Sequence, residues 1–545
     1  MVQAVAETLS GRVRGRDLGG VVSFQGVPFA AAPRGELRFL PPRPPEPWAG
    51  VRDARQSGPA APQFSLPAFS WINAAAGPLG DDCLSVNVWT PATDGARRPV
   101  LVWIHGGGFL VGSGSTGVYD GAALAERGDV VVVSINYRLG VLGFSHLGLL
   151  GLEGLEEATN VGIRDQIAAL EWVRDNIERF GGDPNSVAIF GQSAGGMSVG
   201  TLLGAPRARP LFHRAICQSG AADHVIDQSE AADIAQIFLR ELGQRRPTPA
   251  SLAKIPLGQL LDAQRAILTR ASNLSNLMVL LPAVDGDLIP RQPLAALRAG
   301  EAAGIPIVTG ATLDEWRLFR VMDQGLGRFS QADLVDRFHE VLPSLPHAPR
   351  ADVAARRFRE ALGDRSVASR PSDVWSAFQS ARTFHHPSNR LAEAQHAGGG
   401  EAYTYLFTWR APALRRSIGA CHAIEIPFVF GSTSHPIARP LTGLSAKAGK
   451  LSRRLQHAWI GFARHGTPGH ERLPHWPAYD PERRSTLIFG RECTLAESPL
   501  DEERKLIDRW LGDGPIRGRP MRHGSHNPTR MRAYSWLGSL QAGDA

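Results

Sequence analysis

The sequence predicts an α/β chain, a large and mostly parallel twisted sheet flanked by helices. Three observations carry this. Continuous apolar runs end in glycine or polar turns, as strands covered on both faces do: "PVLVWIH" at 99–105 and "DVVVVSINYR" at 129–138. Next, "VGIRDQIAALEWVRDNIERFG" (161–181) spaces its apolar residues at helical intervals and stops at glycine. A further strand at 187–190 follows at once, and strand–helix–strand alternation is the pattern of a helix-covered parallel sheet.

The remaining elements follow in order. The first fifty residues alternate short strand patterns with turns and end in the proline-rich "FLPPRPPEPWAG". "LSVNVWTP" (84–91) reads as a strand. Residues from about 222 to 300 read as a polar, helical insertion, and "IPIVTGAT" (305–312) returns to the sheet. A second helical insertion spans about 328–400, "AYTYLF" (402–407) reads as the last strand, and a helix is expected at 446–465. The expected organisation is one body over 1–515 and a Gly/Arg-rich tail over 516–545.

Composition excludes several classes. Apolar residues make up 43% and charged residues 20% of the 545, an ordinary globular balance. The net charge is +7, yet only four lysines are present and the arginines are scattered, so no nucleic-acid partner is expected. No run of 18 apolar residues occurs and the first residues lack a signal-peptide pattern, so no membrane span and a cytoplasmic setting are expected. Cys83, Cys217, Cys421 and Cys493 form no C-x-x-C pair, so no metal site is expected.

The chemistry centres on "SVAIFGQSAGGMSVGT", which begins at Ser186. A plain strand-to-helix turn explains Gly191 and Gly195. So does a nucleophile elbow, which thrusts Ser193 out at the end of a strand and leaves no room for a Cβ on either glycine. The elbow reading requires oxyanion donors, an acid and a base elsewhere. Directly after an apolar strand, "WIHGGGFLVG" presents Gly106, Gly107 and Gly108 with open amides, and Ala194 follows the serine. "VTGATLDEWRLF" places Asp314 and Glu315 after a later strand, and "GACHAIEIPFVFG" places His422 after that, giving the order serine, acid, histidine.

These segments resemble the type-B carboxylesterases of the α/β-hydrolase superfamily. "FGGDPNSVAIFGQSAGG" (180–196) resembles the family's serine signature and "DDCLSVNVWTP" (81–91) its second signature. "FQGVPFAAAPRGELRFLPP" (24–42) and "NYRLGVLGF" (136–144) resemble other family segments. The likeness runs from about residue 7 to about 512. It implies an α/β-hydrolase fold whose helical insertions form a gorge over the active site. It also implies a serine carboxylic-ester hydrolase acting on small to medium uncharged esters through an acyl-serine intermediate. The triad implied is Ser193, Glu315 and His422, with Gly107, Gly108 and Ala194 as oxyanion hole. Glu315 is chosen over Asp314 because the family's acid is the glutamate of the "DE" pair. Ser219 and Glu425 match positions that support the histidine from behind. Arg38–Asp81 matches a buried ion pair, and Arg138–Asp165 is expected as another. Phe109, Gln192, Trp71 and Trp316 are expected in the substrate pocket. No cofactor is implied, the partner is a small-molecule ester, and the assembly is a monomer or homodimer. The same triad serves amide, carbamate or lipid-ester cleavage as the alternative, with a non-catalytic binding protein on this fold as the remote one.

Four positions depart from the family pattern, among them Ser85, which stands where the second signature usually has an aromatic residue or threonine. Ala61 stands where secreted members have the cysteine that pairs with Cys83. Trp316 replaces the glycine that usually follows the acid, and Gln192 replaces a common glutamate, which speaks against cationic esters.

Overall fold

A computed structural model of the chain describes residues 4–64, 77–271, 278–320, 329–363, 370–412 and 417–512. Trp71 and the 516–545 tail lie outside the described residues. Fourteen strands run through them. The first seven are β1 (Val5–Thr8), β2 (Gly11–Arg14), β3 (Arg16–Asp17), β4 (Val22–Pro28), β5 (Val51–Asp53), β6 (Ser85–Thr90) and β7 (Arg98–Ile104). Then come β8 (Val131–Ile135), β9 (Gly182–Gln192), β10 (Arg214–Gln218), β11 (Ile307–Thr312), β12 (Ala402–Phe407), β13 (Ser485–Phe489) and β14 (Cys493–Glu497). β1, β2 and β5 form a small sheet of their own. The other eleven form one sheet in the order β14-β13-β12-β11-β10-β9-β7-β8-β6-β4-β3. Its centre, from β13 to β8, is parallel, and its margins are antiparallel.

The strand periodicity divides the core. Val100, Val102 and Ile104 of β7 point into one apolar cluster with Val131, Val133, Val187 and Ile189. Leu101 and Trp103 point into the other with Val132, Ala188 and Phe190. Alternate residues therefore serve opposite faces, and both faces need helical cover. Helix Ala194–Gly204 joins the first cluster and helix Ala446–His465 the second. A third cluster is purely helical: Phe338, Phe358, Trp375 and Phe378 pack with Trp510 of helix Asp501–Leu511.

The expected strands at 84–91, 99–105, 129–138, 187–190, 305–312 and 402–407 all form, with shifted ends. Three corrections arise. "AYTYLF" is not the last strand, because β13 and β14 follow it. β10 was not anticipated; its five residues are too short a run to show a period. The first insertion is helical at Gln228–Glu241, Pro249–Ala253, Leu257–Ala271 and Pro293–Arg298. Its residues 278–292 hold no helix, and Ile226 bridges to Ala283 there.

The topology gathers the chemistry at one edge. The ends of parallel strands β7, β9, β10, β11 and β12 lead into the glycine loop, Ser193, Ser219, the Asp314–Glu315 turn and the His422 loop respectively. The crevice outside the carboxyl ends of parallel strands is where such sheets hold their sites.

Candidate active site

β9 stops at Gln192 and helix Ala194–Gly204 starts two residues later, so Ser193 makes the whole turn. It does so at φ 58° and ψ −128°. A non-glycine residue in such a conformation costs about 1–3 kcal/mol. Backbone bonds hold it there: Ser193 N–H donates to the Gln218 carbonyl at 2.8 Å, and Met197 N–H donates to the Ser193 carbonyl at 2.8 Å. Gly195 is required by space, since a Cβ there would lie 2.0 Å from the Ile104 carbonyl oxygen. The elbow, not a loose turn, is the local structure.

The loop after β7 faces this elbow. Gly107 adopts φ +116°, and a Cβ on it would lie 1.9 Å from the Val111 carbonyl oxygen, so only glycine fits. The Leu110 and Val111 amides both donate to the Gly107 carbonyl, which closes the loop. Among the described residues the Gly107, Gly108 and Ala194 amides donate to no protein group. The glycine loop approaches the elbow, a Cβ on Gly106 lying 3.1 Å from Ser193 Cβ, so unpaired amides flank the serine from both segments. Behind the loop, Tyr137 stacks on His105 at 4.5 Å and donates from its hydroxyl to the His105 carbonyl at 2.9 Å. Burial pushes the His105 imidazole down to about 4, so it is neutral near pH 7.

Glu315 and His422 are joined. His422 Nδ1–H donates to Glu315 Oε2, and His422 N–H donates to the Glu315 carbonyl at 3.3 Å. Glu315 Oε1 accepts from Ser219 Oγ–H and from the Thr312 amide, each at 2.6 Å. Burial alone would raise this carboxyl, but the histidine and these donors outweigh it and hold Glu315 below the usual glutamate range. Asp314 has a different task. Its Oδ2 accepts from the Ala420 amide at 2.9 Å, and its own amide donates to the Ala420 carbonyl at 2.9 Å, which latches the His422 loop onto β11's end.

Ser193 Oγ makes no hydrogen bond with any described residue. His422 Nε2 lies within hydrogen-bond distance of the side-chain nitrogen of Gln192, at 3.2 Å. Two members of the expected triad are thus hydrogen-bonded and the third stands unbonded at the elbow. Such contacts are often loose before substrate arrives.

The other expected residues divide. Ser219 reaches Glu315 rather than His422. Glu425 likewise does not touch the histidine. Its Oε1 accepts from Gln218 Nε2 at 3.3 Å, and burial, then the Glu315 charge, pushes its carboxyl up to about 8. Phe109 does not open to solvent. At φ 61° the chain turns, and the fully buried ring packs on Phe144 at 4.9 Å, bracing the glycine loop from behind. Trp316 is buried against Phe319 at 4.9 Å. Arg138–Asp165 is a buried ion pair with contacts of 2.8 Å and 2.5 Å, and Arg138 Nη1 also donates to the Leu40 carbonyl at 2.7 Å, tying the N-terminal segment down. Arg38–Asp81 is not a buried pair. Its closest approach is 3.6 Å, Asp81 is 28% exposed, and Arg38 spends a donor on the Ile255 carbonyl because it lies on a surface 3₁₀ turn.

Sequence reasoning missed two residues. Phe319 and Phe384 pack their rings against His422 at 5.1 and 4.8 Å. Both come from helical segments whose apolar residues carry no mark of the site. Among the described residues no group of three or more His, Cys, Asp or Glu side chains is placed to hold a metal ion, and no helix is long and apolar enough to cross a membrane.

Comparison with known proteins shows the family and the fold. The Carboxylesterase family model matches residues 2–506. The para-nitrobenzyl esterase of Bacillus subtilis is 36% identical over 513 residues, covering 93% of this chain and 99% of its own. The phenmedipham hydrolase of Pseudarthrobacter oxydans is 35% identical, covering 90% and 96%. Among solved structures, a Geobacillus stearothermophilus carboxylesterase superposes with a TM-score of 0.82 at 39% identity, covering 93% of this chain and all of that one.

Proposed function

The chain belongs to the carboxylesterase family, has the α/β-hydrolase fold and is a serine carboxylic-ester hydrolase, and from that premise we propose that Ser193, His422 and Glu315 are its nucleophile, base and acid. The carrying observation is the buried Glu315–His422 hydrogen bond at the strand ends that also present the strained Ser193. Ser193 Oγ attacks the ester carbonyl carbon while its proton passes to His422 Nε2. Glu315 fixes the proton on Nδ1 and stabilises the imidazolium that forms. The carbonyl oxygen, now negative, accepts from the amides of Gly107, Gly108 and Ala194. Collapse of this adduct expels the alcohol, which takes the proton from His422 and leaves an acyl-serine. Water repeats the sequence and frees the acid.

The substrates are small to medium uncharged esters. Phe319, Phe384 and Trp316 make the surroundings of His422 aromatic, and Gln192 brings no charge. Phe384 of the second insertion packs on His422, which supports helical walls over the approach to this site. All site groups come from one chain, so a monomer or each half of a homodimer is complete. A cytoplasmic setting fits the four thiols, none of which is in a disulfide.

The test is hydrolysis of para-nitrophenyl esters, from acetyl to palmitoyl, by wild type and Ser193→Ala. Turnover falls by a factor on the order of 10⁶ in the variant, and the chain-length optimum lies at the short end. Comparable rates in both proteins would remove Ser193 from the reaction.

A further inference from the structure

Gln192 occupies a place that the ester-hydrolysis mechanism leaves unused. It is the last residue of β9, pinned by pairing with Gln218, and is 3% exposed. Its side-chain nitrogen lies 3.2 Å from His422 Nε2 and 3.4 Å from Nδ1. A point almost equidistant from both ring nitrogens cannot lie in the ring plane without overlapping Cε1. The amide therefore rests on the face of the imidazole. Among the described residues this ring is the only hydrogen-bond partner of the Gln192 side chain. With Phe319 and Phe384 also packed on the ring, its plane is fixed by three side chains while Nδ1 remains bonded to Glu315.

We infer that Gln192 is a positioning residue for the base, its carboxamide seating the His422 ring in the plane of the Glu315 hydrogen bond and favouring the neutral imidazole over the imidazolium between turnovers. The physics has a sign. An N–H directed at the face of a neutral aromatic ring is weakly attractive. The same N–H dipole against an imidazolium presents its positive end to a positive charge. A glutamate carboxylate in this position would do the opposite and hold the proton on the ring. The other titratable groups around the ring are Glu315 and Asp314 from the turn after β11, with Arg317 paired to Asp314, Cys421 and Glu425 from the histidine's own loop, and His385 next to Phe384. A change confined to residue 192 leaves all of them in place.

The inference rests on His422 being the base, and the experiment separates the two. The kcat/KM for para-nitrophenyl acetate is measured from about pH 5 to pH 9 for wild type, Gln192→Met and Gln192→Glu. Each protein is also titrated with a para-nitrophenyl organophosphate, and its melting temperature is recorded. The acid limb is expected at the lowest pH in wild type, higher in Gln192→Met, and higher again in Gln192→Glu by about one pH unit or more, the effect of a carboxylate against an imidazole. A role in packing alone would lower kcat without moving the limb. Coincident limbs in labelled, folded proteins overturn the inference and leave the triad standing. Wild type that takes no label overturns the triad, and the inference with it. If Gln192→Glu does not fold, the direction of the Gln192→Met shift decides.

Discussion

Glu315 and Glu425 are both fully buried and both belong to the surroundings of one histidine loop, yet they carry opposite charge states near neutral pH. Glu315 receives His422 Nδ1–H, the Ser219 hydroxyl and the Thr312 amide, and is held ionised. Glu425 receives Gln218 Nε2 at 3.3 Å, while its Oε2 has no partner among the described residues, and it is protonated up to about pH 8. Burial raises both carboxyls; what separates them is first the His422 charge beside Glu315, together with its donors, against the Glu315 charge that raises Glu425 further. A single ionised acid next to His422 is what a general base needs, and the neutral Glu425 keeps a second charge out of the cluster.

The largest effect that tests this contrast is Glu315→Gln. The amide cannot hold the proton on Nδ1 and stabilise the imidazolium, so kcat falls by about 10³–10⁴-fold. Glu425→Gln leaves kcat close to wild type. Steady-state kinetics on one chromogenic ester compares the two, and equal losses would erase the distinction.

The same reasoning applies to the arginines. Arg138 is buried with its carboxylate and three further hydrogen bonds, so Arg138→Ala strands Asp165 and costs about 3–5 kcal/mol. Arg38→Ala, at a half-buried pair 3.6 Å apart, costs under about 1 kcal/mol. Denaturant midpoints of both variants would show this difference, and similar shifts would contradict it.

A further effect is pH-linked. Glu425 in the fold binds a proton that an unfolded chain releases near 4.5, so stability falls as pH rises from about 4.5 to about 8 and then levels. Glu425→Gln removes this loss. The variant's melting temperature therefore gains on wild type across the window and stays ahead above it. A difference independent of pH would mean that Glu425 is ionised in the fold.

Much of this was legible in the sequence. β7 and β9 announce themselves because strands covered on both faces are continuously apolar, and Ser193 because only glycines permit its turn. The order along the chain left Asp314 and Glu315 open, the family resemblance chose Glu315, and the fold brings Glu315 into contact with His422. What the sequence withheld was distance between segments. Phe384 approaches His422 from a π-helical turn, Ala381–His385, that reads as ordinary helix. Gln192 was expected at the substrate, and its amide also lies on the base. Phe109 was expected in the pocket from its loop after a strand; at φ 61° its ring is buried against Phe144. The Arg38–Asp81 burial was carried over from the family; Arg38 is largely covered, but Asp81 is 28% exposed and the two lie 3.6 Å apart.

The central claim is that Ser193 is activated by the His422–Glu315 pair. Treating the protein with one equivalent of a para-nitrophenyl organophosphate and mapping the adduct by peptide mass spectrometry tests it most directly. The account predicts one label per chain, on Ser193, with activity lost in proportion and labelling suppressed in Glu315→Gln. A fully active protein that carries no adduct, or an adduct on another residue that tracks the loss of activity, would contradict it.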